Sequence, residues 1–335
     1  MVTRTSPEFV TAIEKRVARL LFRMRTSPIA GMLIIRVSSI GACYLMYHDR
    51  CKANFPSLPL DAGVFLHYVS FPRGETMIHE TAVIGPDVKL GKDVHIGPYT
   101  VIEDEVTIGD GCRIGPRVYI NGWTTIGTNV KIHANAVVGD APQDYHYNNE
   151  KSYCRIGDNT IIREYVTIHR GEGEGTETAI GSKCMLMAFV HVGHNVTISN
   201  NCTLANHTVL SGHVTVEDRA NFSGYAGVHQ FCNVGTLSMT GPYSKVTQDV
   251  PPYCLIIEGA VFGLNYVGLK RAGISSEAIR SLRKAIQDIF FSKLLRKYAL
   301  VKIEAESGKI PEVAHLLEFI GKSKRGQLPG SGLNI

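Results

Sequence analysis

The eight cysteines of this 335-residue chain include no Cys-x-x-Cys pair, so a zinc ribbon is not written into it. No apolar run is long enough to cross a bilayer: the stretch over residues 29–40 is short and interrupted by Arg36, whereas a membrane helix needs about 20 apolar residues in succession. Stable membrane insertion is therefore not expected. Excess charge is lacking too, with 35 Lys and Arg against 30 Asp and Glu and a formal net charge of +5. That balance carries little information on its own, and no nucleic-acid partner is expected. Through the middle of the chain neither helical spacing nor simple strand alternation is present.

What stands in their place is a period of six. Ile84, Leu90, Ile96, Ile102, Ile108, Ile114, Ile120, Ile126, Ile132 and Val138 fall at successive sixth positions. The phase returns at Ile156, Ile162 and Ile168, and again from Ile180 to Val246 past Thr240. A short strand plus a corner, stacked into a solenoid, is the unit that such a period describes. Two residues before each aliphatic stands a small or β-branched residue, such as Ala82, Val88, Val94, Thr100 or Val106, so both positions point inward. Cys112, Cys154, Cys184, Cys202 and Cys232 share that small register and read as reduced core residues. Gly85, Gly97, Gly109, Gly127 and Gly157 each follow an aliphatic, which suits a corner with positive φ or closely approaching backbones.

The first 76 residues break the period. Between residues 4 and 36, Arg4, Lys15, Arg16, Arg19, Arg23, Arg25 and Arg36 face only Glu8 and Glu14, with Phe9, Ile13, Val17, Leu20, Leu21 and Met24 at helical spacing. A basic, acid-poor amphipathic leader is the composition of an imported presequence, with a membrane-surface helix or a poorly ordered tail as the other readings. A mitochondrial destination is expected, with a plastid as the alternative, and a bacterial-type cytoplasmic location if the leader is not a presequence.

Residues 77–255 then form the solenoid and residues 256–335 a helical domain and tail. The run Gln248-Asp249-Val250-Pro251-Pro252-Tyr253 closes the solenoid, and Ser275 or Ser276 caps a helix carrying Ile279, Leu282, Ile286 and Ile289. Gly308 and Pro311 set off a further helix over residues 313–320. Arg271, Arg280, Arg283, Lys284, Lys293, Arg296 and Lys297 make this part basic, either as a solvated face or as a dock for an acidic carrier protein.

Six of the thirteen histidines lie between residues 169 and 229. On coils about 18 residues long, His229, His194 and His213 fall at three consecutive positions of the coil, so their rings are expected to line up at one corner, on coils about 4.8 Å apart. His191 stands on the face just before it. Zinc is one use of such a column, but each coil supplies a single member and no cysteine shares the register, so no metal is expected. Taken singly, each of these histidines reads as a hydrogen-bonded surface residue. Two insertions beside them change the weighing. The first, over residues 139–155, carries Ala141-Pro142-Gln143-Asp144-Tyr145-His146-Tyr147, a strip that cannot pack inside a narrow solenoid and should project toward a ligand or a neighbouring subunit. The second, over residues 170–179, is rich in Glu and Gly and is expected to be mobile.

The Ile-Gly-x4 units resemble those of the hexapeptide transferases, which implies a left-handed parallel β-helix with a C-terminal α-helical domain. More specifically, Gln143-Asp144, Ile162-Arg163-Glu164, Val166-Thr167-Ile168-His169-Arg170-Gly171, His191-Val192-Gly193-His194, Gly212-His213-Val214, Val228-His229-Gln230-Phe231 and Gly268-Leu269-Lys270-Arg271 resemble the UDP-N-acetylglucosamine O-acyltransferases of lipid A biosynthesis. The resemblance implies transfer of an (R)-3-hydroxyacyl group from acyl carrier protein to the glucosamine 3-hydroxyl of UDP-N-acetylglucosamine. It implies His194 as general base and the Gly212 N–H as oxyanion donor. Gln143, Asp144, His191, His213, His229, Gln230, Asn265 and Arg271 match substrate contacts, and Met239 and Pro242 match the acyl-length ruler. It further implies a homotrimer with clefts between subunits, where the projecting loop of one solenoid meets the histidines of the next. No cofactor is bound; the 4′-phosphopantetheine arrives on the carrier protein.

Several positions depart from the family pattern. Asn195 stands where an acid orients the catalytic imidazole, His146 where Lys is common and Val267 where an acidic contact is usual. The stretch Glu258-Gly259-Ala260-Val261 is about two residues shorter than in relatives, and Pro242 replaces a small residue, so acyl length does not transfer. Two rival readings share the solenoid: a γ-type carbonic anhydrase, which needs three histidines closing on zinc, and a non-catalytic β-helix subunit of a larger assembly.

Overall fold

The structure, a computed structural model, describes residues 34–37, 43–46 and 76–332. Two compact units divide at Pro72 and Arg73. In the first, Ile34–Val37 pairs antiparallel with Cys43–Met46. The rest of the expected amphipathic leader lies outside the described residues.

The second unit is a three-faced parallel β-helix followed by helices. One face is a nine-stranded sheet running from Val83–Ile84 to Lys245–Val246, the next an eight-stranded sheet from Lys89–Leu90 to Asn233–Val234, and the third an eleven-stranded sheet beginning at Met77–Ile78. Most strands are two residues long, because the chain turns a corner every six. The sixth-position aliphatics point into the prism: Ile102, Ile120, Ile162, Leu186, Leu204 and Leu210 are fully buried, as are Cys112, Cys154, Cys184, Cys202 and Cys232, which are free thiols. Burying each large aliphatic contributes about 1.5–3 kcal/mol, and stacking them coil upon coil gives a core without a centre. Ile84 and Leu90, on the first coil, are only half-buried because no coil among the described residues covers them from below.

The corners settle what the glycines are for. Positive φ falls at non-glycine residues spaced by six, among them Tyr165 (59°), Phe189 (62°), Asn195 (56°), His213 (60°) and Phe231 (64°). That conformation costs an L-residue about 1–2 kcal/mol, so each corner is held by the ladders either side of it. The glycines after the aliphatics serve close approach instead: a β-carbon on Gly157 would stand 2.5 Å from the Gly181 carbonyl carbon. Because each left-handed corner residue repeats the orientation of its counterpart on the coil before, their side chains stack. Tyr165, Phe189, His207, Tyr225 and Tyr243 form such a ladder, with ring centroids 4.6–5.0 Å apart.

At the far end, Cys254–Ile257 extends the eleven-stranded face and turns through Glu258 and Gly259 into antiparallel Ala260–Leu264. Helices α1 (Tyr266–Arg271), α2 (Ser276–Phe290), α3 (Arg296–Ser307) and α4 (Pro311–Lys322) follow. Ser275 is the cap of α2, its hydroxyl accepting from the Ala278 N–H at 3.1 Å. A Tyr253–His315–Glu217 chain ties α4 to the solenoid, with Tyr253 Oη 2.9 Å from His315 Nδ1 and His315 Nε2 3.2 Å from Glu217 Oε2. Among the described residues no helix is long and apolar enough to cross a membrane.

Candidate active site

Both insertions and His194 sit at one corner, where the chain passes from the nine-stranded to the eight-stranded face. The first insertion joins Val137–Asp140 to Tyr153–Ile156, the second joins Thr167–His169 to Glu177–Ile180, and His194 lies between His191–Val192 and Thr197–Ile198. Three successive coils therefore present loop, loop and imidazole along a single edge.

Arg170 fixes the first loop. Only 6% exposed, it donates from Nε and Nη2 to the Tyr147 hydroxyl at 3.0 and 2.7 Å and from Nη1 to the Gly139 carbonyl at 3.1 Å. Its guanidinium also lies over the Trp123 ring at 4.9 Å. The second insertion, expected to be mobile, is tied down: the Gly173 N–H donates to Glu150 Oε1 at 2.9 Å, and Thr176 Oγ1 donates to the Glu172 and Gly173 carbonyls at 2.8 Å. Its glycines provide backbone freedom for these bonds rather than disorder.

Held in this way, Asp144 comes to His194 of its own chain, Oδ2 standing 3.7 Å from Nε2. Within the chain the loop lies along its own edge, held there by Arg170 and Glu150. The backbone N–H and ring Nδ1 of His146 both bond Asp144 Oδ1, at 2.8 and 2.7 Å, and hold the Asp144 carboxyl below its ordinary range. Gln143 is exposed beside it.

The His194 ring is oriented by its neighbour. Asn195 Oδ1 lies 2.8 Å from His194 Nδ1 and also accepts the Glu172 N–H at 2.9 Å, while Asn195 Nδ2 donates to the Glu172 carbonyl at 3.2 Å. Those two backbone bonds fix which end of the carboxamide is oxygen, so His194 Nδ1 must donate and Nε2 carries the lone pair. The ring packs against the α-carbon of Gly212 and meets His213 edge-on, centroids 5.1 Å apart. The N–H groups of Gly193 and His213 are taken by the Leu210 and His194 carbonyls at 2.9 and 3.0 Å, whereas that of Gly212 has no acceptor among the described residues.

The expected column is two imidazoles tall, not three. His213 stacks on Phe231, centroids 4.6 Å apart, and His229 is exposed with its Nδ1 donating to the Gln230 carbonyl at 3.2 Å. The reason is phase: His229, His194 and His213 occupy consecutive corner positions, and successive residues round a corner point in different directions. Gln230, also exposed, holds the position His194 has two coils earlier.

His191 stands half-buried on the adjacent face, 2.9 Å from Thr167 Oγ1. Burial, with His169 adding to it, pushes its pKa down to about 4. His213 is lowered too, by burial and then by His194, against a smaller upward pull from Glu172 and Asp144. Asn265 caps α1: its Oδ1 accepts the Gly268 N–H at 3.1 Å and its Nδ2 donates to the Leu237 carbonyl at 2.8 Å. Arg271 is exposed on the last turn of that helix, Met239 is half-buried in its strand and Pro242 is exposed at the next corner.

Two residues were missed. His169 is 5% exposed, donates from Nδ1 to the Ala141 carbonyl at 2.5 Å, tilts against His191 at 5.3 Å, and has a buried Nε2 without a partner among the described residues. Its signal was the density of histidines in which it was counted. Glu172 is the other: a carboxylate oxygen and ring nitrogens of His194 and His213 lie within 4.8 Å of one another, a donor set of the kind that brackets a divalent ion. Nothing in a Gly-rich insertion points to it.

The comparisons with known proteins agree with one another. A family model described as UDP N-acetylglucosamine O-acyltransferase, domain 2, matches residues 249–328, and the six-repeat hexapeptide of bacterial transferases matches residues 105–140 and 177–212. The acyl-[acyl-carrier-protein]–UDP-N-acetylglucosamine O-acyltransferase of Thermodesulfovibrio yellowstonii is 46% identical over 253 residues, covering 74% of this chain and 98% of that one. Among solved structures, the UDP-N-acetylglucosamine acyltransferase of Bacteroides fragilis matches with a TM-score of 0.73 and 38% identity, over 75% of this chain and 100% of the other. The Arabidopsis UDP-N-acetylglucosamine acyltransferase matches with a TM-score of 0.68 and 33% identity, again over 75% and 100%. The solenoid is accordingly a left-handed β-helix.

Proposed function

This chain belongs to the UDP-N-acetylglucosamine O-acyltransferase family, and from that premise we propose that His194 is the general base of acyl transfer and Gly212 its oxyanion donor. The enzyme moves an acyl group from acyl carrier protein to UDP-N-acetylglucosamine, the first step of lipid A-type synthesis. The acyl group is read as (R)-3-hydroxyacyl and the acceptor as the glucosamine 3-hydroxyl.

His194 Nε2 removes the hydroxyl proton as the sugar oxygen attacks the thioester carbonyl. Neutral imidazole suits this at neutral pH. The tetrahedral oxyanion accepts from the Gly212 N–H. Collapse breaks the carbon–sulfur bond, and the leaving phosphopantetheine thiolate takes the proton back from His194. The observation that carries this reading is the clamped Asn195 carboxamide, which leaves Nε2 as the basic nitrogen beside an unpaired N–H. Asp144 and Gln143 receive the sugar and nucleotide with His191, His213, His229 and Gln230. Asn265 acts by setting the start of α1, and Arg271 faces the carrier arm. Met239 and Pro242 form the floor that measures the acyl chain. No cofactor is held by the protein itself.

The carbonic anhydrase reading is not favoured, since the third histidine stands outside the ring column. The active assembly is a homotrimer in this reading, checked by sedimentation mass. The leader directs import into mitochondria, with plastids as the alternative, checked by fusing residues 1–76 to a fluorescent reporter.

The decisive experiment is thioester transfer from 3-hydroxyacyl carrier protein to UDP-N-acetylglucosamine. Turnover should fall by about 10²–10⁴-fold in His194→Ala, with the circular dichroism spectrum unchanged. Undiminished turnover in that variant removes His194 from the base role.

A further inference from the structure

The base of this site is oriented by a neutral residue. When His194 takes a proton in the transition state it becomes a cation, and an amide oxygen stabilises a cation less than a carboxylate does. An anion should then be found elsewhere around the ring. The described residues place two carboxylates near it: Asp144, whose Oδ1 is engaged by the backbone and ring of His146 and whose Oδ2 stands 3.7 Å from Nε2 on the side that the sugar hydroxyl must approach, and Glu172.

Glu172 is in contact with the base machinery twice over. Its backbone grips both ends of the Asn195 carboxamide, accepting from Nδ2 at 3.2 Å and donating to Oδ1 at 2.9 Å, so it decides which atom His194 Nδ1 meets. Its side chain, half-buried, brings a carboxylate oxygen within 4.8 Å of ring nitrogens of both His194 and His213. The loop that delivers it is anchored through Gly173 to Glu150 and through Thr176 to the Glu172 carbonyl itself. One residue thus sets the tautomer of the imidazole through its backbone and places a charge beside it through its side chain.

We propose that Glu172 is a positioning residue of this active site, whose carboxylate supplies the negative charge that Asn195 does not, stabilising His194 as it becomes protonated during acyl transfer. The inference rests on the reading of His194 as general base. It explains why a Gly-rich insertion on the coil before His194 is folded down against the edge. The charge acts through His194 rather than on the substrate, so the effect belongs in kcat.

The test uses the full chain with saturating UDP-N-acetylglucosamine and 3-hydroxyacyl carrier protein, in chelator, for Glu172→Gln, Glu172→Asp, His194→Ala and the double variant Glu172→Gln/His194→Ala. The amide keeps the size of the side chain and leaves the backbone clamp in place. Glu172→Gln should lower kcat by about tenfold or more with KM for either substrate changed less than about threefold, and Glu172→Asp should retain much of the parent rate. In the His194→Ala background the same change should have no further effect, because the residue through which it acts is gone. A kcat for Glu172→Gln within about twofold of the parent overturns the inference, as does an equal loss in both backgrounds, the mark of a general structural role. Loss of parent activity in chelator overturns it in favour of a metal held by Glu172, His194 and His213. If His194→Ala keeps turnover, the base reading itself has failed; if only Glu172→Gln is silent, that reading stands and this one falls.

Discussion

His194 Nε2 lies 2.5 Å from where a β-carbon on Gly212 would stand. The imidazole and the glycine are thus one unit: the ring rests on the bare α-carbon, and the N–H of the same residue has no acceptor among the described residues. Any side chain at position 212 evicts the imidazole.

Gly212→Ala should therefore cost more than an oxyanion donor alone. Loss of such a donor costs about 10²–10³-fold in kcat, and displacement of the base adds to it. Gly212 is not among the positive-φ glycines, so the strain stays local and the fold should hold. Steady-state kinetics beside a melting curve checks this, and a variant with near-parent kcat would contradict the contact.

Tyr147→Phe removes the acceptor of two Arg170 bonds and leaves a buried guanidinium short of partners. About 1–3 kcal/mol of loop anchoring is lost. Because the loop carries Gln143 and Asp144, the expected readout is a rise in KM for UDP-N-acetylglucosamine of about tenfold, with KM for the carrier protein little changed. An unchanged KM would separate Arg170 from substrate binding.

The His315–Glu217 bond raises the His315 pKa, chiefly through that hydrogen bond and against the opposing effect of burial. A raised histidine stabilises the fold fully below its unfolded pKa of about 6.5 and ceases to do so as pH rises through the folded value. About a third of each side chain is exposed (32%), so solvent screening keeps the contribution near 1 kcal/mol. His315→Gln should melt a few degrees below the parent at pH 6 and nearly with it at pH 9. A gap that does not narrow with pH would count against the linkage.

His191 works in the opposite sense. Burial holds its pKa near 4, so between about pH 6.5 and 4 the unfolded chain gains a proton that the folded one refuses. Stability should decline across that window, by about 1–2 kcal/mol once screening is allowed for. His191→Gln should flatten the decline, read from urea midpoints at pH 7 and pH 4.5.

Acyl length offers a fifth check. Each methylene is worth about 0.8 kcal/mol of burial, roughly a fourfold preference per carbon. If Pro242 narrows the floor, Pro242→Gly should shift the preferred donor toward longer chains in a competition among carrier-protein thioesters. An unshifted profile would place the floor elsewhere.

The solenoid was legible from its period alone, since a repeat of six aliphatics can be buried only by coils stacked in register. The cap at Ser275 and the buried free cysteines were legible for the same local reasons. The histidine column was read one member too tall, because a tolerance of one residue is harmless in counting and decisive at a corner, where each successive side chain turns away from the last. His169 and Glu172 were passed over for a different reason. Their roles depend on two insertions folding onto one edge, and a Gly-rich loop does not announce where its backbone will close.

The sequence by itself determined the prism and the coil on which each imidazole sits, since these follow from spacing that every neighbouring coil enforces, and its motifs, not its period, carried the resemblance to the family. Tertiary structure alone decided that Asp144 reaches His194 of its own chain, that Asn195 presents oxygen rather than nitrogen to the imidazole, and that Glu172 stands behind both. Those outcomes depend on contacts between residues 23 or more positions apart, and they are selected by which hydrogen bonds a folded edge can close at once.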